Sequence, residues 1–411
     1  MPIRVIVAVI LISLQAYLLR RFWRWAGTRS GLLRRSQIPG LALFVLFNGA
    51  LIVTAFTGFR SVHVSGPFLY WGVYPFLLWH FATFIIALVL LVFHILKLPL
   101  KGLWAGARLI PALRPHAHAL SSNPAVQRFD AGRRVFLRRG VYGLTAASFG
   151  GAAYGMLVER SECEVTEHIV RIPGLPPEFS GYSIGLVTDV HSSLYMTEAD
   201  MRRYVKVLNG MGTDMILVGG DLVNGMGDEI DPFAEAFSAL RAPDGIFGVL
   251  GNHDFYTREA DRVARTATEG GVHILRDESR VIHRGGSSLT LLGIDDTGTG
   301  PLTVQRIRRA AAHAGASGPR ILLCHRPYFF REAAAEGVDL MLSGHTHGGQ
   351  VVLGEVAGIA FTPAALASPY LAGPYQEGAA RMYVSRGIGT VGVPMRINCP
   401  PELTRIVLKP A

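Results

Sequence analysis

Cysteine is scarce. The 411 residues hold three, Cys163, Cys324 and Cys399, with no C-x-x-C pair. A disulfide scaffold and a zinc ribbon are therefore excluded; Cys163 and Cys399 could pair outside a membrane, but their spacing does not decide it. Acidic residues are almost missing from the first 158 positions, where Asp130 stands alone against 17 Lys and Arg. Residues 159–411 have the opposite balance, a net charge of −6 within a chain whose total is +10. The basic average thus describes no soluble part, and it gives no argument for nucleic-acid binding. No period of 20–50 residues is visible, which rules out a repeat array.

Long apolar runs are present. Four stand out: Val5 to Leu19, interrupted by Gln15, then Leu41 to Phe56, Tyr74 to Leu96, and the Gly- and Ala-rich Val141 to Val158. A helical span needs about 20 mostly apolar residues, so residues 1–158 read as an all-α transmembrane region of about four helices. Six arginines lie between the first and second runs, Arg60 alone between the second and third, and nine Lys and Arg between the third and fourth. Basic loops stay cytoplasmic. The expected topology is multi-pass in a bacterial inner membrane, with residues 159–411 on the periplasmic or extracellular side. Gly132 to Gly140, G-R-R-V-F-L-R-R-G, resembles a twin-arginine export signal without the usual preceding Ser or Thr. No acid lies within the spans, which argues against a transporter path.

Past a polar linker, Glu159 to Glu164, short apolar runs alternate with helical patterns. Strands are expected at His168–Ile172, Tyr182–Val187, Met215–Val218, Ile246–Leu250, Val272–Leu275, Val281–His283, Leu289–Ile294, Ile321–Cys324, Leu340–Leu342, Met382–Ser385 and Leu403–Leu408. Helices are expected at Thr197–Leu208, with Thr197 as N-cap, at Asp231–Leu240, at Arg258–Glu269 and from Leu302 to about His313. The pattern predicts an α/β fold, a four-layer α/β/β/α sandwich of two mixed sheets.

Five of these strands run into polar residues with metal-binding chemistry. V-T-D-V-H presents Asp189 and His191, G-G-D presents Asp221, and G-N-H-D presents Asn252, His253 and Asp254. His325 follows Cys324, and S-G-H-T-H carries His345 and His347. Carboxylate and imidazole suit Mn, Fe, Zn or Co ions, and ligand sites in open α/β sheets lie beyond the carboxyl ends of strands. The adjoining glycines allow the crowding that a metal cluster requires. His63, His80, His94, His116, His118, His168, His273, His283 and His313 lack this context and read as ordinary core or surface histidines. Asp295 and Asp296, in G-I-D-D-T-G, read as a turn, with substrate contact as the other option.

The ordered set D-x-H, G-D, G-N-H-D, a single His after a strand, and G-H-T-H resembles the calcineurin-like metallophosphoesterase superfamily over about residues 165–408. Y-V-S-R-G-I-G-T (Tyr383 to Thr390) and R-I-N-C-P-P-E (Arg396 to Glu402) resemble its bacterial membrane-anchored branch, and the multispan N-terminus resembles the transmembrane metallophosphoesterases. The resemblance implies two divalent ions about 3.5–4 Å apart. It places Asp189, His191 and His347 on the first, Asn252, His325 and His345 on the second, and Asp221 on both. A bridging hydroxide would attack phosphorus in line. His253, which holds no metal in that scheme, would protonate the leaving oxygen, with Asp254 orienting it.

One departure narrows the chemistry. The protein serine/threonine phosphatases of the superfamily read G-D-x-V-D-R-G, whereas this chain reads G-D-L-V-N-G. The arginine that grips a phosphomonoester is missing at that point, which favours a phosphodiester, with a phosphomonoester or a pyrophosphate of a lipid or nucleotide as the alternative. Anchoring suggests a lipid-linked substrate in or near the bilayer. A catalytically degenerate metal-binding sensor is the reading from outside enzymology. Residue patterns leave the natural substrate, the native metals and the oligomeric state open.

Overall fold

The structure, a computed structural model, describes residues 2–57, 66–296, 298, 300–312, 318–356 and 359–411. Arg60, His63 and His313 lie outside the described residues. The chain divides into two compact units, Met1–Tyr154 and Gly155–Ala411.

The first unit is helical. Among the described residues, four helices are long and apolar enough to cross a membrane: Ile3–Gly27, Leu32–Thr57, Gly66–Leu109 and Pro124–Ser161. Each reaches beyond the apolar run that announced it, because arginine-rich flanks such as 128–139 are good helix formers. Gln15, which interrupts the first run, is buried among helices. Its side chain meets His80 Nδ1 at 2.7 Å and accepts from Asn48 at 2.8 Å and from Trp79 at 2.9 Å. Polar side chains within an apolar bundle join helices in this way.

The second unit contains fourteen described strands: β1 (Glu164–Ile172), β2 (Ser183–Val187), β3 (Met215–Gly219), β4 (Ile246–Val249), β5 (His273–Ile274), β6 (Glu278–Arg284), β7 (Ser287–Gly293), β8 (Arg320–Leu323), β9 (Leu340–Ser343), β10 (Glu355–Val356), β11 (Ile359–Ala360), β12 (Gly373–Glu377), β13 (Ala380–Val384) and β14 (Glu402–Pro410). One sheet runs β1-β14-β2-β3-β4-β5, the other β12-β13-β9-β8-β7-β6, and β10 and β11 form a separate hairpin. Both six-stranded sheets are mixed. In the first only the β14–β2 pair is antiparallel; in the second the outer pairs β12–β13 and β6–β7 are.

The central strands are apolar on both faces because both faces are covered. Ile184, Leu186 and Leu217 meet Leu291, Ile321, Leu323 and Leu342 between the sheets. Val187, Ile216 and Val218 point the other way, onto Met201, Val205, Leu208, Phe233 and Phe237 of the helices Glu198–Gly210 and Ile230–Phe237. Behind the second sheet, Leu322, Met341 and Val384 pack on Ile307, Ala310 and Phe330. The layers are thus helix, sheet, sheet, helix. Thr197 caps its helix: its hydroxyl accepts from Asp200 N at 3.2 Å, and Asp200 accepts from Thr197 N at 3.1 Å. Two strands escape the apolar pattern. The N-terminal part of β1 is exposed and is extended by its parallel ladder to β14, and β12 is a polar edge strand.

Glu402 joins the two sheets. Its carboxylate accepts from Thr166 on β1 at 2.6 Å, from Tyr383 on β13 at 2.5 Å and from Arg386 N at 2.9 Å. Burial acts to raise its pKa, but these donors and the Arg386 charge outweigh it and hold the carboxyl below its usual value. Such a group stabilises the fold fully above the unfolded pKa of about 4.3, and the contribution is lost as pH falls through the depressed folded value. Glu402→Gln should therefore lower the melting temperature of the detergent-solubilised protein at neutral pH. The gap between variant and parent should narrow only below about pH 4.3, measured by thermal melts across the pH range.

Candidate metal centre

Asp189 and His191 follow β2, Asp221 follows β3, Asn252 opens the short helix after β4, His325 follows β8, and His345 and His347 follow β9. The two strand-end loops after β2 and β3 are bonded together, Asp189 N to Gly220 O at 3.0 Å and His191 N to Asp221 O at 2.9 Å. Asp189, His191, Asp221, His345 and His347 all have φ between 50° and 74°. Left-handed backbone costs an L-residue roughly 1–2 kcal/mol, and Asp and His tolerate it better than most. Five strained residues at one spot are a mark of a functional site.

The donor atoms converge in two groups. His191 Nε2 lies 3.1 Å from His347 Nε2, and His347 Nε2 lies 3.5 Å from Asp189 Oδ1. His325 Nε2 lies 3.2 Å from His345 Nδ1. Asp221 Oδ2 belongs to both groups, 3.5 Å from His191 Nε2 and 3.2 Å from His325 Nε2. An ion with donors at about 2.1 Å sets neighbouring donors about 3.0 Å apart in an octahedron and about 3.4 Å apart in a tetrahedron. The observed spacings of 3.1–3.5 Å match those edges. Among the described residues, three overlapping groups could each hold an ion: Asp189–His191–His347, Asp221–His325–His345, and His191–Asp221–His253, which brings His253 within reach of the same centre. Asn252 Oδ1 is buried without a hydrogen-bond partner, as expected of an oxygen that serves a metal. The residues present fit two divalent ions.

Tautomers agree with that use. His325 Nδ1 lies 2.9 Å from Gly219 O; a carbonyl only accepts, so Nδ1 carries a proton and Nε2 is the nitrogen turned to the site, able to bind a metal once it gives up its own proton, with the carbonyl as the usual outer support of a metal-binding histidine. Burial lowers the pKa of His191 and His347 to about 3 and of His345 to about 2, which keeps these rings neutral. Burial also acts to lower His325, but the charge and hydrogen bond of Asp221 outweigh it and raise the value to about 10. Asp221 is correspondingly held well below the carboxylate range, its burial overcome by His325 and His191. The shared carboxylate therefore sits where positive charge is strongly favoured.

A family model described as calcineurin-like phosphoesterase matches residues 182–349. The chain is 30% identical to a metallophosphoesterase of Bacillus subtilis, YkuE, over 67% of this chain and 97% of that one. The chain belongs to the calcineurin-like metallophosphoesterases. It is also 29% identical to phosphodiesterase YaeI of Escherichia coli, over 67% of this chain and 98% of the relative. A zebrafish transmembrane protein with a metallophosphoesterase domain is 29% identical over 63% of this chain, which spans 60% of that relative. This metallophosphoesterase is accordingly a hydrolase of phosphoric esters, of a family that uses divalent metal ions.

The structure revises some expected contacts in the metallophosphoesterase. Asp254 does not reach the His253 ring: its carboxylate accepts from Leu222 N at 2.9 Å, Val223 N at 3.1 Å and Gly251 N at 2.8 Å. It ties the β3 loop to the β4 loop, and burial together with the Asp221 charge pushes its pKa up to about 8. His253 is oriented instead by Asn224 O, 2.9 Å from its Nδ1. Asp295 pairs with Arg276 at 2.8 Å and Asp296 with Arg326 at 2.6 Å, and Arg326 in turn lies 3.4 Å from His345 Nε2. Cys163 and Cys399 are both free thiols.

The sequence concealed the role of Arg396, whose side chain is fully buried. Its guanidinium donates to the carbonyls of Arg386, Gly387, Gly389 and Cys399 at 2.6–3.0 Å. Gly389 N in turn donates to Asp189 O at 2.7 Å. R-I-N-C-P-P-E marks Arg396 as part of a family-like segment, but only the folded loop shows that its side chain organises carbonyls behind Asp189.

Two substitutions test the construction. A Cβ on Gly251 would lie 2.2 Å from Asp221 Oδ1, while its φ of −100° suits any residue. Gly251→Ala should fold, by circular dichroism, but lose bound metal by elemental analysis. Arg396→Met leaves buried carbonyls unsatisfied at about 1–3 kcal/mol each and should lower unfolding free energy by at least about 3 kcal/mol, measured by denaturant titration in detergent.

Proposed function

We propose that the chain is a membrane-anchored, two-metal phosphodiesterase whose catalytic domain, residues 159–411, works on the outer side of a bacterial inner membrane. The observation that carries this reading is Asp221 Oδ2, shared between two donor groups. Asp189, His191 and His347 would hold one ion; Asn252, His325 and His345 would hold the other, with Asp221 on both. When bound, such ions supply Lewis-acid charge to the phosphoryl oxygens and activate water at neutral pH.

His253 would handle the proton. Its ring stands edge-on to His191, with centroids 4.6 Å apart. With Nδ1–H given to Asn224 O, Nε2 is the nitrogen left to face substrate. Water that has given one proton to solvent bonds through its oxygen to phosphorus as the bond to the leaving oxygen breaks; His253, entering as imidazolium with Nδ1–H on Asn224 O, gives its Nε2 proton to that leaving oxygen and ends neutral. Asp254 supports the reaction indirectly, by fixing the loops that carry Asp221 and Asn252. The diester preference is supported by Asn224 and Gly225, which stand where phosphatases of the superfamily have D-R, and by the name of the Escherichia coli relative. Anchoring is supported by the four apolar helices and the transmembrane relatives, and the outward orientation by the arginine-rich intervals 20–35 and 97–139. Tethering favours a substrate presented at the bilayer.

The metal-loaded protein should hydrolyse bis-p-nitrophenyl phosphate with Mn²⁺. His253→Ala should reduce turnover about 10²–10⁴-fold while elemental analysis still finds both ions. Metal loss matching the activity loss would refute the acid role.

A further inference from the structure

The exposed apolar side chains of the second unit are not evenly spread. Leu353, Val356, Ile359, Phe361 and Leu366 fall within fourteen residues that begin shortly after His347, and they are 55–94% exposed. They lie on and beside the β10–β11 hairpin, whose pairing Glu355 to Ala360 is antiparallel. A run of this kind in water needs a function, since soluble surfaces seldom group large apolar residues. Glu355 is the single charge in 353–366, and no Lys or Arg occurs anywhere from 332 to 380.

The hairpin is fastened at two points. Thr362 Oγ1 donates to Gly349 O at 2.9 Å, in the turn His347–Gly349 that carries a metal ligand. Val352 N donates to Ile397 O at 2.9 Å, and Asn398 Nδ2 to Val352 O at 2.9 Å. The neighbouring Arg396 N donates to Gly155 O at 3.1 Å. Gly155 and the buried Met156 form the last turn of the helix Pro124–Leu157, the fourth candidate span. One three-residue segment, 396–398, therefore holds both the hairpin and the point where the chain leaves its last apolar helix.

We propose that the hairpin dips into the acyl region of the same bilayer that anchors the chain, so that the metal centre takes its phosphodiester at the lipid surface. This rests on the anchored-phosphodiesterase reading. The occupant follows from the shared attachment beside the last apolar helix and from the missing cations: a surface without Lys or Arg gains nothing from anionic headgroups and binds by apolar burial alone.

The test uses the full chain reconstituted in phosphatidylcholine vesicles. Spin labels at Ile359→Cys and Leu366→Cys, in a Cys163→Ser background, are compared with a label at Val281→Cys on β6. The hairpin labels should collide with oxygen in preference to a water-soluble nickel chelate, several-fold more than the Val281 label, and adding anionic lipid should not change this. Equal ratios at all three positions would overturn the proposal. So would spin–spin broadening between chains, which would make a second copy the occupant. In a separate arm, Val356→Ser, Ile359→Ser and Leu366→Ser together should leave turnover of the soluble diester unchanged. The same variant should slow a vesicle-borne diester by about tenfold or more; equal rates on both substrates would count against the hairpin. The labels report without catalysis. A chain inert toward the soluble diester would sink the enzymatic reading, while the collision ratios still decide the hairpin.

Discussion

Asp221 is a single carboxylate oxygen asked to serve two clusters of imidazole. Buried imidazoles packed with nitrogens 3.1–3.2 Å from each other are held together either by an N–H···N hydrogen bond or by a cation that both nitrogens face. Burial keeps most of these rings neutral, and the carboxylate draws positive charge toward its own side. Desolvation and charge therefore act together: they prepare lone pairs and a negative focus in a site that water does not screen. The rest of the catalytic unit can be understood as the means of holding that arrangement against its own cost.

Holding it takes backbone as well as side chains. Five of the donor-bearing residues are in left-handed conformation, which a loop adopts only if its surroundings over-determine it. The surroundings here are specific. The β2 and β3 loops are bonded to each other, Asp254 ties the β3 loop to the β4 loop, and Arg396 collects carbonyls behind Asp189. Glycine at 251 leaves room for Asp221, and glycine at 344 leaves room for Asp189, whose Oδ2 would lie 2.2 Å from an added Cβ. The polar second layer is thus as much part of the centre as the donors.

The two units solve different problems with the same chemistry. In the helical unit, Gln15, Asn48 and His80 satisfy one another where no water is at hand, and in the catalytic unit Glu402 does so between two sheets. The halves contrast in charge: arginines fill the intervals between the apolar helices of the first, whereas acids and arginines in the second close pairs around loops.

Much of this was legible in the residues. Continuous apolar strands, the N-cap at Thr197 and the polar residues at strand ends announced the layers and the strand ends at which those polar residues gather, because burial on both faces and metal chemistry each restrict residue type severely. Edge strand β12 and the exposed start of β1 were not legible, since their order comes from a neighbour's ladder and not from their own pattern. The partner of His253 was misread for a related reason: adjacency in the chain suggested Asp254, but helix geometry turns that side chain back onto amides and hands the ring to the carbonyl of Asn224. By itself, the order of residues determined which atoms could bind metal and which segments could be buried. Only the tertiary structure decided which of those atoms share an oxygen, which arginine of many is sealed behind them, and where the apolar hairpin is fastened, because each of these depends on contacts between segments that no local pattern encodes.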